Sequence, residues 1–142
     1  MGGGRSKIAD LDLDGHLDLV FANFMHNYRS DQQSLIYWVS DSGLSPINRT
    51  ELPTFLASEV AVGDLNGDGQ PEVVPSNRGD ERGETWGYRL HLESYIYWGS
   101  AAGYKPTRRT SIPSICAADI ASCASRSLAP SASEAIRVCR LC

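Results

Sequence analysis

The chain has 142 residues, a net charge of −4 and an apolar content of 42%. This length suits one soluble domain of ordinary size, and the acidic balance argues against a nucleic-acid partner held by charge. No run approaches the roughly 18 apolar residues of a membrane helix, so no membrane span is predicted. The first residues, Met1 to Lys7, lack the apolar core of a signal peptide.

The first informative element is an acidic loop from Asp10 to Asp18, which reads DLDLDGHLD. Oxygen-bearing side chains stand at loop positions 1, 3, 5 and 9, and position 6 is Gly15. Calcium takes roughly 6–8 oxygen ligands from carboxylates, carbonyls and water. Carboxylates at alternate positions converge only if the chain curls around the ion, and a glycine permits the left-handed turn that this needs. The pattern predicts a site for a hard cation, to which His16 at position 7 would offer its backbone carbonyl.

The same pattern recurs from Asp64 to Glu72, with Gly69 at position 6. Asp, Asn and Gly are also common turn residues, so a single copy would equally describe an acidic loop between two strands. Two copies of the pattern in the same register favour a metal-binding loop over an acidic turn. Crowded carboxylates repel one another unless a cation lies among them. The loops are not EF-hands, since position 12 is Phe21 or Pro75 instead of a bidentate glutamate.

Both loops belong to a longer internal repeat. The second loop begins 54 residues after the first (64 − 10 = 54), and Trp98 of the second Tyr-Trp pair follows Trp38 of the first by 60 (98 − 38 = 60). The second unit therefore has six extra residues between its loop and its Tyr-Trp strand. A period of this size predicts a propeller or solenoid, and short strands with Gly and Pro turns predict four-stranded antiparallel blades.

The predicted strands follow the loops in each unit. In the first unit they are Asp18 to Ala22, Leu35 to Val39 and Leu44 to Glu51. In the second unit they are Ser58 to Val62, Glu72 to Ser76, Tyr95 to Gly99 and Tyr104 to Ser111. The strand that enters the first loop is expected to be cut short, because Met1 lies so close to Asp10. For that reason the second loop is expected to bind calcium more tightly than the first.

Alternation along the Tyr-Trp strands places the aromatic side chains on both faces. Ile36, Trp38, Ile96 and Trp98 are expected on one side, and Tyr37 and Tyr97 on the other. We expect these aromatics to pack between blades rather than to bind a ligand. Each blade buries its apolar face only against a neighbour, so two blades leave two faces open. The open faces are expected to be lined by residues such as Trp38, Trp98, Ile36 and Ile96.

The loop, the Tyr-Trp-Gly strand and their spacing resemble FG-GAP repeats, also called VCBS repeats, over about Ile8 to Ser114. Such repeats form the β-propeller blades of integrin α subunits and of many bacterial surface and secreted proteins. The resemblance implies an all-β fold of two four-stranded antiparallel propeller blades, a partial propeller, with bound Ca²⁺. The implied calcium ligands are Asp10, Asp12, Asp14, the carbonyl of His16 and Asp18 in the first blade, and Asp64, Asn66, Asp68, the carbonyl of Gln70 and Glu72 in the second.

Two residues depart from the family pattern. Glu72 stands where Asp is commoner, and Val39 replaces the glycine that follows Trp98 in the second unit. The expected boundaries are residues 1–54 for the first blade, 55–115 for the second and 116–142 for a non-repeat tail.

The resemblance implies a module for protein or carbohydrate binding or for adhesion, with structural calcium in its loops. Its expected place is extracellular, on the cell surface or in the periplasm, within a longer parent protein that supplies further blades. The alternative is an accessory or catalytic propeller fragment of a secreted polysaccharide lyase or phospholipase. The three histidines are scattered and no nucleophile stands in a recognisable motif, so we expect no enzyme.

The tail has a different composition and holds all four cysteines. It is either disordered or weakly helical, or a sequence that left its repeat register through a frameshift or truncated gene model. A zinc site would rest on Cys139 and Cys142 alone, without the second ligand pair that a structural site needs. A disulfide framework is also poorly supported, because the cysteine spacings of small secreted domains are missing.

The segment Arg78-Gly79-Asp80 spells the tripeptide that integrins recognise. It lies in the longer insert of the second unit, so it is expected to be exposed. A match of three residues often arises by chance, and no function is assigned to it.

Overall fold

The structure is a computed structural model that describes residues 2–25, 32–79 and 92–114. Within these ranges the chain forms eight strands and no helix. The strands are β1 (Gly2–Ala9), β2 (Asp18–Met25), β3 (Ser34–Ser40), β4 (Gly43–Leu52), β5 (Glu59–Gly63), β6 (Glu72–Ser76), β7 (Leu92–Tyr97) and β8 (Arg109–Ser114). None of the described residues belongs to a helix that is long and apolar enough to cross a bilayer.

The strands make two four-stranded antiparallel sheets with consecutive strands as neighbours. Sheet 1 has the order β1-β2-β3-β4, and sheet 2 has the order β5-β6-β7-β8. This arrangement confirms the predicted all-β fold of two open, blade-like sheets. The predicted tail, residues 116–142, lies outside the described residues.

The strand that enters the first loop is complete, so the prediction of a shortened strand was wrong. β1 has eight residues, whereas its counterpart β5 has five. β1 pairs with β2 from Lys7↔Val20 to Ala9↔Asp18, and register shifts occur only nearer its glycine-rich start. Glycine is a poor strand former by propensity, but the edge of β2 offers backbone hydrogen-bonding groups that any residue can satisfy.

The last strand begins later than predicted, because Tyr104 is buried against the second loop instead of pairing within the sheet. β8 starts at Arg109, and residues before it form turns. Tyr104 is buried with an exposed fraction of 5%, and its hydroxyl donates a hydrogen bond to the carbonyl of Pro71. Pro106 lacks the N–H that a continuous ladder would need.

The main hydrophobic core lies between the two sheets. Its buried members include Val20, Ala22, Ile36 and Leu52 from sheet 1, and Val60, Val73, Tyr95 and Tyr97 from sheet 2. Trp38 packs against this core, and its ring stacks on that of Tyr104 with centroids 6.1 Å apart. Each large apolar side chain buried here contributes roughly 1.5–3 kcal/mol. The predicted packing of aromatics between sheets is therefore confirmed for Trp38 and Tyr97.

Each sheet has a second face that points away from the core. On sheet 2 this outer face holds the cluster Ala61, Val74 and Ile96, against which Leu65, Trp98 and Ile112 pack. On sheet 1 it is a shallow groove of about 270 Å³ lined by Leu19, Phe21, Tyr37, Leu44 and Pro46. Ile36 lies in the core, Trp38 packs against it, and Ile96 on the other face of sheet 2 is only 2% exposed, so the expectation that these three residues line an open face was wrong.

Polar contacts also join the sheets. Arg5 on β1 pairs with the buried carboxylate of Glu59 on β5, with Nη1 and Oε2 3.1 Å apart. The side chain of buried Asn77 accepts the N–H of Phe55 at 3.1 Å and donates to the carbonyl of Glu93 at 2.9 Å. The bonds of Asn77 satisfy one backbone N–H of the irregular link between the sheets and one carbonyl of β7.

The predicted exposure of Arg78-Gly79-Asp80 is wrong for its first two residues. Arg78 is half-buried and Gly79 is buried, and both donate their N–H groups to the carbonyl of Phe55, at 3.1 and 3.3 Å. A Cβ on Gly79 would lie only 2.8 Å from Cδ1 of Leu56. Asp80 lies outside the described residues. The first two residues of the tripeptide are therefore packed against Phe55 and Leu56 of the link between the sheets.

Replacement of Tyr97 by phenylalanine tests the inter-sheet hydrogen bonds. Tyr97 is fully buried, its hydroxyl donates to the carbonyl of Pro53 and it accepts a bond from Arg109. Tyr97→Phe leaves these partners unsatisfied, so we expect a loss of about 1–3 kcal/mol in the free energy of unfolding. Urea denaturation in dilute solution measures it.

Tyr37→Phe is the matched control, because Tyr37 is the repeat counterpart of Tyr97 on the half-exposed outer face. Its effect on unfolding in dilute solution should stay within about 0.5 kcal/mol, as is usual for surface substitutions. Equal losses in the free energy of unfolding for the two variants would show that the Tyr97 hydroxyl does not stabilise the contact between the sheets.

Candidate metal-binding loops

The first acidic loop connects β1 to β2 and is curled by the side chain of its first residue. Oδ1 of Asp10 accepts the N–H of Asp14 at 3.1 Å, and Oδ2 accepts the N–H of Gly15 at 3.0 Å. Gly15 has a φ of 93°, in the left-handed region that the sequence predicted for it. The curl turns the loop carboxylates toward one centre.

Three carboxylates of the first loop converge. One oxygen each from Asp10, Asp12 and Asp18 lies within 4.8 Å of the other two. Asp14 lies outside this group, because its Oδ1 accepts the N–H of His16 at 2.8 Å and lies 3.1 Å from His16 Nδ1. The structure thus brings together three of the four predicted carboxylates of this loop.

The electrostatics of the first loop reflect this crowding. Partial desolvation raises the pKa of Asp12, and the charges of Asp14, Asp18 and Asp10 raise it further. The backbone N–H of His16 lowers the pKa of Asp14. The hydrogen bond that the His16 ring donates to the Asp14 carboxylate in turn raises the pKa of His16. A cation at the centre would relieve the repulsion among the three converging carboxylates.

Asp18 also has a structural role that the loop pattern alone did not reveal. It is fully buried, and its Oδ2 accepts the N–H of Leu11 at 3.0 Å. Its Oδ1 accepts the N–H of Val39 on β3 at 2.9 Å. One carboxylate therefore ties the loop to a strand on the far side of β2. The sequence carried no signal for this contact, because only a backbone N–H of β3 takes part in it.

The departure at Val39 follows from local backbone geometry. Val39 lies within β3 and pairs with Leu44, and only its backbone N–H serves Asp18. Its counterpart Gly99 lies beyond the end of β7, where a Cβ would come within 2.3 Å of the Pro71 carbonyl oxygen. Glycine is thus required in the second unit and dispensable in the first.

The second loop, between β5 and β6, repeats most of the hydrogen bonds of the first, but Oδ1 of its first residue accepts the N–H of position 4 instead of position 5. Asp64 accepts the N–H of Gly67 at 2.7 Å through Oδ1 and that of Gly69 at 2.9 Å through Oδ2. Asp68 accepts the N–H of Gln70 at 2.8 Å, as Asp14 does from His16. Asn66, at position 3, accepts the N–H of Asp68 at 2.9 Å.

Glu72 fills position 9 of the second loop. It is fully buried, and its Oε2 accepts the N–H of Leu65 at 2.7 Å, which matches the bond between Asp18 and Leu11. Oε1 has no partner in hydrogen-bonding geometry among the described residues, although the N–H of Gly99 lies near enough to lower the pKa of Glu72. Burial is the larger effect and raises that pKa.

The loops differ in backbone strain at position 4. Leu13 has a φ of 63°, whereas the second loop has Gly67 there with a φ of 77°. A left-handed conformation costs a residue with a Cβ roughly 1–2 kcal/mol, and Leu13 is 53% exposed, so little packing offsets it.

We therefore expect Leu13→Gly to raise the free energy of unfolding by up to about 1 kcal/mol, since the added freedom of the unfolded chain offsets part of the relief. Gly67→Leu, the reverse change at the matched position, should lower it by about 1–2 kcal/mol. Thermal denaturation measures both. Destabilisation by Leu13→Gly would show that the Leu13 side chain stabilises the loop in spite of its exposure.

Comparison with known families supports the resemblance. A family model described as FG-GAP-like repeat matches residues 10–74, from the first residue of the first loop into β6. The match includes both acidic loops, and residues 75–114 lie beyond it. Searches of curated proteins and of solved structures found no match. The chain therefore contains an FG-GAP-like repeat at residues 10–74.

Proposed function

We propose that this chain is a calcium-stabilised β-propeller module that binds a protein or glycan, with one Ca²⁺ in each acidic loop. The observation that carries the proposal is the convergence of Asp10, Asp12 and Asp18, whose carboxylate oxygens lie within 4.8 Å of one another. The two bonds that recur at matching positions of the second loop, from Gly69 to Asp64 and from Gln70 to Asp68, support the same use of both loops.

The donor set fits a hard cation. The converging groups are carboxylate oxygens, the ligands that calcium prefers. In the first loop, Asp14 and the carbonyl of His16 complete the proposed set with water. In the second loop the proposed ligands are Asp64, Asn66, Asp68, the carbonyl of Gln70 and Glu72. The buried Oε1 of Glu72 is a group that an ion or an ion-bound water would satisfy.

The proposed role of the ion is structural. Each loop joins the first two strands of its sheet, and Asp18 also bonds to the third strand through Val39. An ion in the loop would neutralise the crowded carboxylates and so hold three strands in register. The proposed role of the chain is binding rather than catalysis. Its proposed location is extracellular, on the cell surface or in the periplasm, where calcium is plentiful.

A cleft beside the first loop is the proposed place for a ligand. It has a volume of about 350 Å³ and is lined by Asp12, Trp38, Thr50, Tyr104 and residues 101–103. The lining combines a carboxylate and a hydroxyl with two aromatic rings. This mixture suits a polar ligand with apolar surfaces, such as a sugar or a peptide side chain.

The first loop is proposed to be the tighter calcium site. The expectation that the second would be tighter rested on a shortened entering strand, and β1 is complete. Ligand charge then decides, because it is one of the properties that set calcium affinity. The first loop has four carboxylates, and the second has three, with neutral Asn66 at position 3.

Exchange of the residues at position 3 tests the calcium proposal. Asp12→Asn should weaken the tighter site and Asn66→Asp should strengthen the weaker one, each on the order of tenfold in affinity. Isothermal titration of the full chain with CaCl₂ after chelator treatment measures both sites. Calcium should also raise the melting temperature of the wild type.

Asp41→Asn is the control. Asp41 is an exposed carboxylate beside the first loop that contacts His16 Nε2 at 3.1 Å and lies outside the proposed ligand set. It should leave both calcium affinities within about twofold, as expected for an exposed, screened charge. If Asp41→Asn weakens binding as much as Asp12→Asn does, the attraction is diffuse and the proposed coordination is wrong. No heat of calcium binding to the wild type would also refute it.

A further inference from the structure

Tyr104, in the connection between β7 and β8, lies between the two acidic loops. It is buried with an exposed fraction of 5%, and its hydroxyl donates to the carbonyl of Pro71 in the second loop. Its ring stacks on that of Trp38 in sheet 1, with the two ring planes 27° apart. Both rings line the same cleft as Asp12 of the first loop. One side chain therefore joins the second loop to the surroundings of the first.

On the second loop, the contact of Tyr104 falls between two proposed calcium ligands. Pro71 stands between Gln70, whose carbonyl is a proposed ligand, and Glu72. The Pro71 carbonyl belongs to the planar peptide group that joins Pro71 to Glu72, so its direction is tied to the backbone of Glu72. The hydrogen bond from Tyr104 thus fixes the end of the loop at which Glu72 closes the proposed site.

On the first loop, the contact is made through the apolar core. Leu11 stands between the proposed ligands Asp10 and Asp12 and is 1% exposed. It belongs to the same buried cluster as Tyr104, and Trp38 packs against that cluster. Because protein interiors are close-packed, the position of the Tyr104 ring affects the packing around Leu11. The cluster therefore anchors the backbone from which the two carboxylates project.

Charges of both loops act on the Tyr104 hydroxyl. Burial raises the pKa of Tyr104, and the carboxylates of Glu72, Asp18 and Asp12 raise it further. The first of these belongs to the second loop, and the other two belong to the first loop. Because the interaction between charges falls with distance, this agrees with a hydroxyl that lies between the two loops.

The turn before Tyr104 holds this side chain in place. The N–H of Gly103 donates to the carbonyl of Ser100 at 2.7 Å, and the Ser100 hydroxyl donates to the Gly103 carbonyl at 2.8 Å. The repeat counterpart of Tyr104 in the first unit is Leu44 (104 − 60 = 44), which is 58% exposed and has no hydroxyl. The contact with a loop carbonyl is therefore a property of the second unit and does not follow from the repeat.

We propose that Tyr104 is a positioning residue for both proposed calcium sites, through which ion binding at one loop strengthens ion binding at the other. This inference rests on the proposed function, because it needs calcium in the loops. With the backbone at Glu72 held by a bound ion, the acceptor of the Tyr104 hydroxyl is fixed. The ring is then held against Trp38 and the cluster around Leu11, so less conformational freedom is left for the first loop to lose.

Charge alone gives coupling of the opposite sign. A cation in one loop weakens the attraction of the whole site for a second cation. Salt limits this effect, since the Debye length is about 8 Å at physiological ionic strength. Tyr104→Phe keeps the ring and every charge of the chain and removes only the hydroxyl. The difference between the wild type and this variant therefore isolates the contribution of the hydrogen bond to Pro71.

A calcium titration followed by NMR measures the two loops separately. The backbone N–H of Gly15 donates to Asp10, and that of Gly69 donates to Asp64. The amide signal of Gly15 therefore reports the first loop, and that of Gly69 reports the second. The full chain is titrated with CaCl₂ at physiological ionic strength after chelator treatment.

The coupling is measured by disabling one loop at a time. Asp68→Ala removes a proposed ligand of the second loop and should lower the calcium affinity that Gly15 reports. This fold-decrease should be about two- to tenfold smaller in the Tyr104→Phe background, which is the range that one hydrogen bond supplies. Because coupling is reciprocal, Asp12→Ala should act in the same way on the affinity that Gly69 reports.

Tyr97→Phe is the matched control. It also removes a buried tyrosine hydroxyl, but that hydroxyl donates to the Pro53 carbonyl, outside both loops. It should lower the free energy of unfolding and leave the coupling between the loops within about twofold, as expected for a site that shares no partner with them. Circular dichroism verifies folding. Trp38→Phe, which shrinks the ring stacked on Tyr104, is the second variant if Tyr104→Phe does not fold, and it should reduce the coupling in the same direction.

Two results would overturn this inference and leave the proposed function intact. Equal fold-decreases in the wild-type and Tyr104→Phe backgrounds would show that the hydroxyl does not couple the loops. An equal reduction of the coupling by Tyr97→Phe would show that the coupling follows overall stability. If neither Gly15 nor Gly69 shifts at millimolar calcium, the proposed function fails, and this inference fails with it.

Discussion

The buried carboxylate at the ninth loop position is the interaction on which each sheet depends. Asp18 accepts backbone N–H groups from the loop at Leu11 and from β3 at Val39, and Glu72 accepts the equivalent loop bond from Leu65. Hydrogen bonds to a charged group contribute about 1.5–3 kcal/mol each. Because the group is removed from water, these bonds are also what make its burial tolerable. The loop therefore cannot move without disturbing the strand beyond its neighbour.

Sequence periodicity was sufficient for the architecture and for the curl of the loops. The two copies of the acidic pattern, the Tyr-Trp strands and their alternation predicted two four-stranded sheets, and the Asp10 and Asp64 turns followed from spacing. These features are local, so their signal lies within a few residues. The comparison with the FG-GAP-like repeat agrees with the same stretch.

The errors arose where tertiary contacts outweigh local preference. The glycine-rich start of β1 forms a strand because β2 offers it an edge, and Tyr104 leaves the strand pattern to bond with Pro71. Burial of Gly79 depends on Leu56, which lies in the link between sheets and carries no periodic signal. Likewise, periodicity placed Ile36 and Trp38 on one face but did not determine which face meets the other sheet.

The order of strands has a consequence for the way this chain folds. In both sheets every strand pairs with its neighbour in sequence. Each sheet is therefore built from consecutive antiparallel strand pairs of one repeat. This order keeps the strand pairings within one repeat, so the contact order is lower than it would be if strands paired across the two repeats. Each sheet can therefore assemble largely on its own, and burial of the shared core around Ile36 and Tyr97 follows as a docking step. Folding would then proceed blade by blade, with the loop carboxylates ordering the hairpin at the start of each unit.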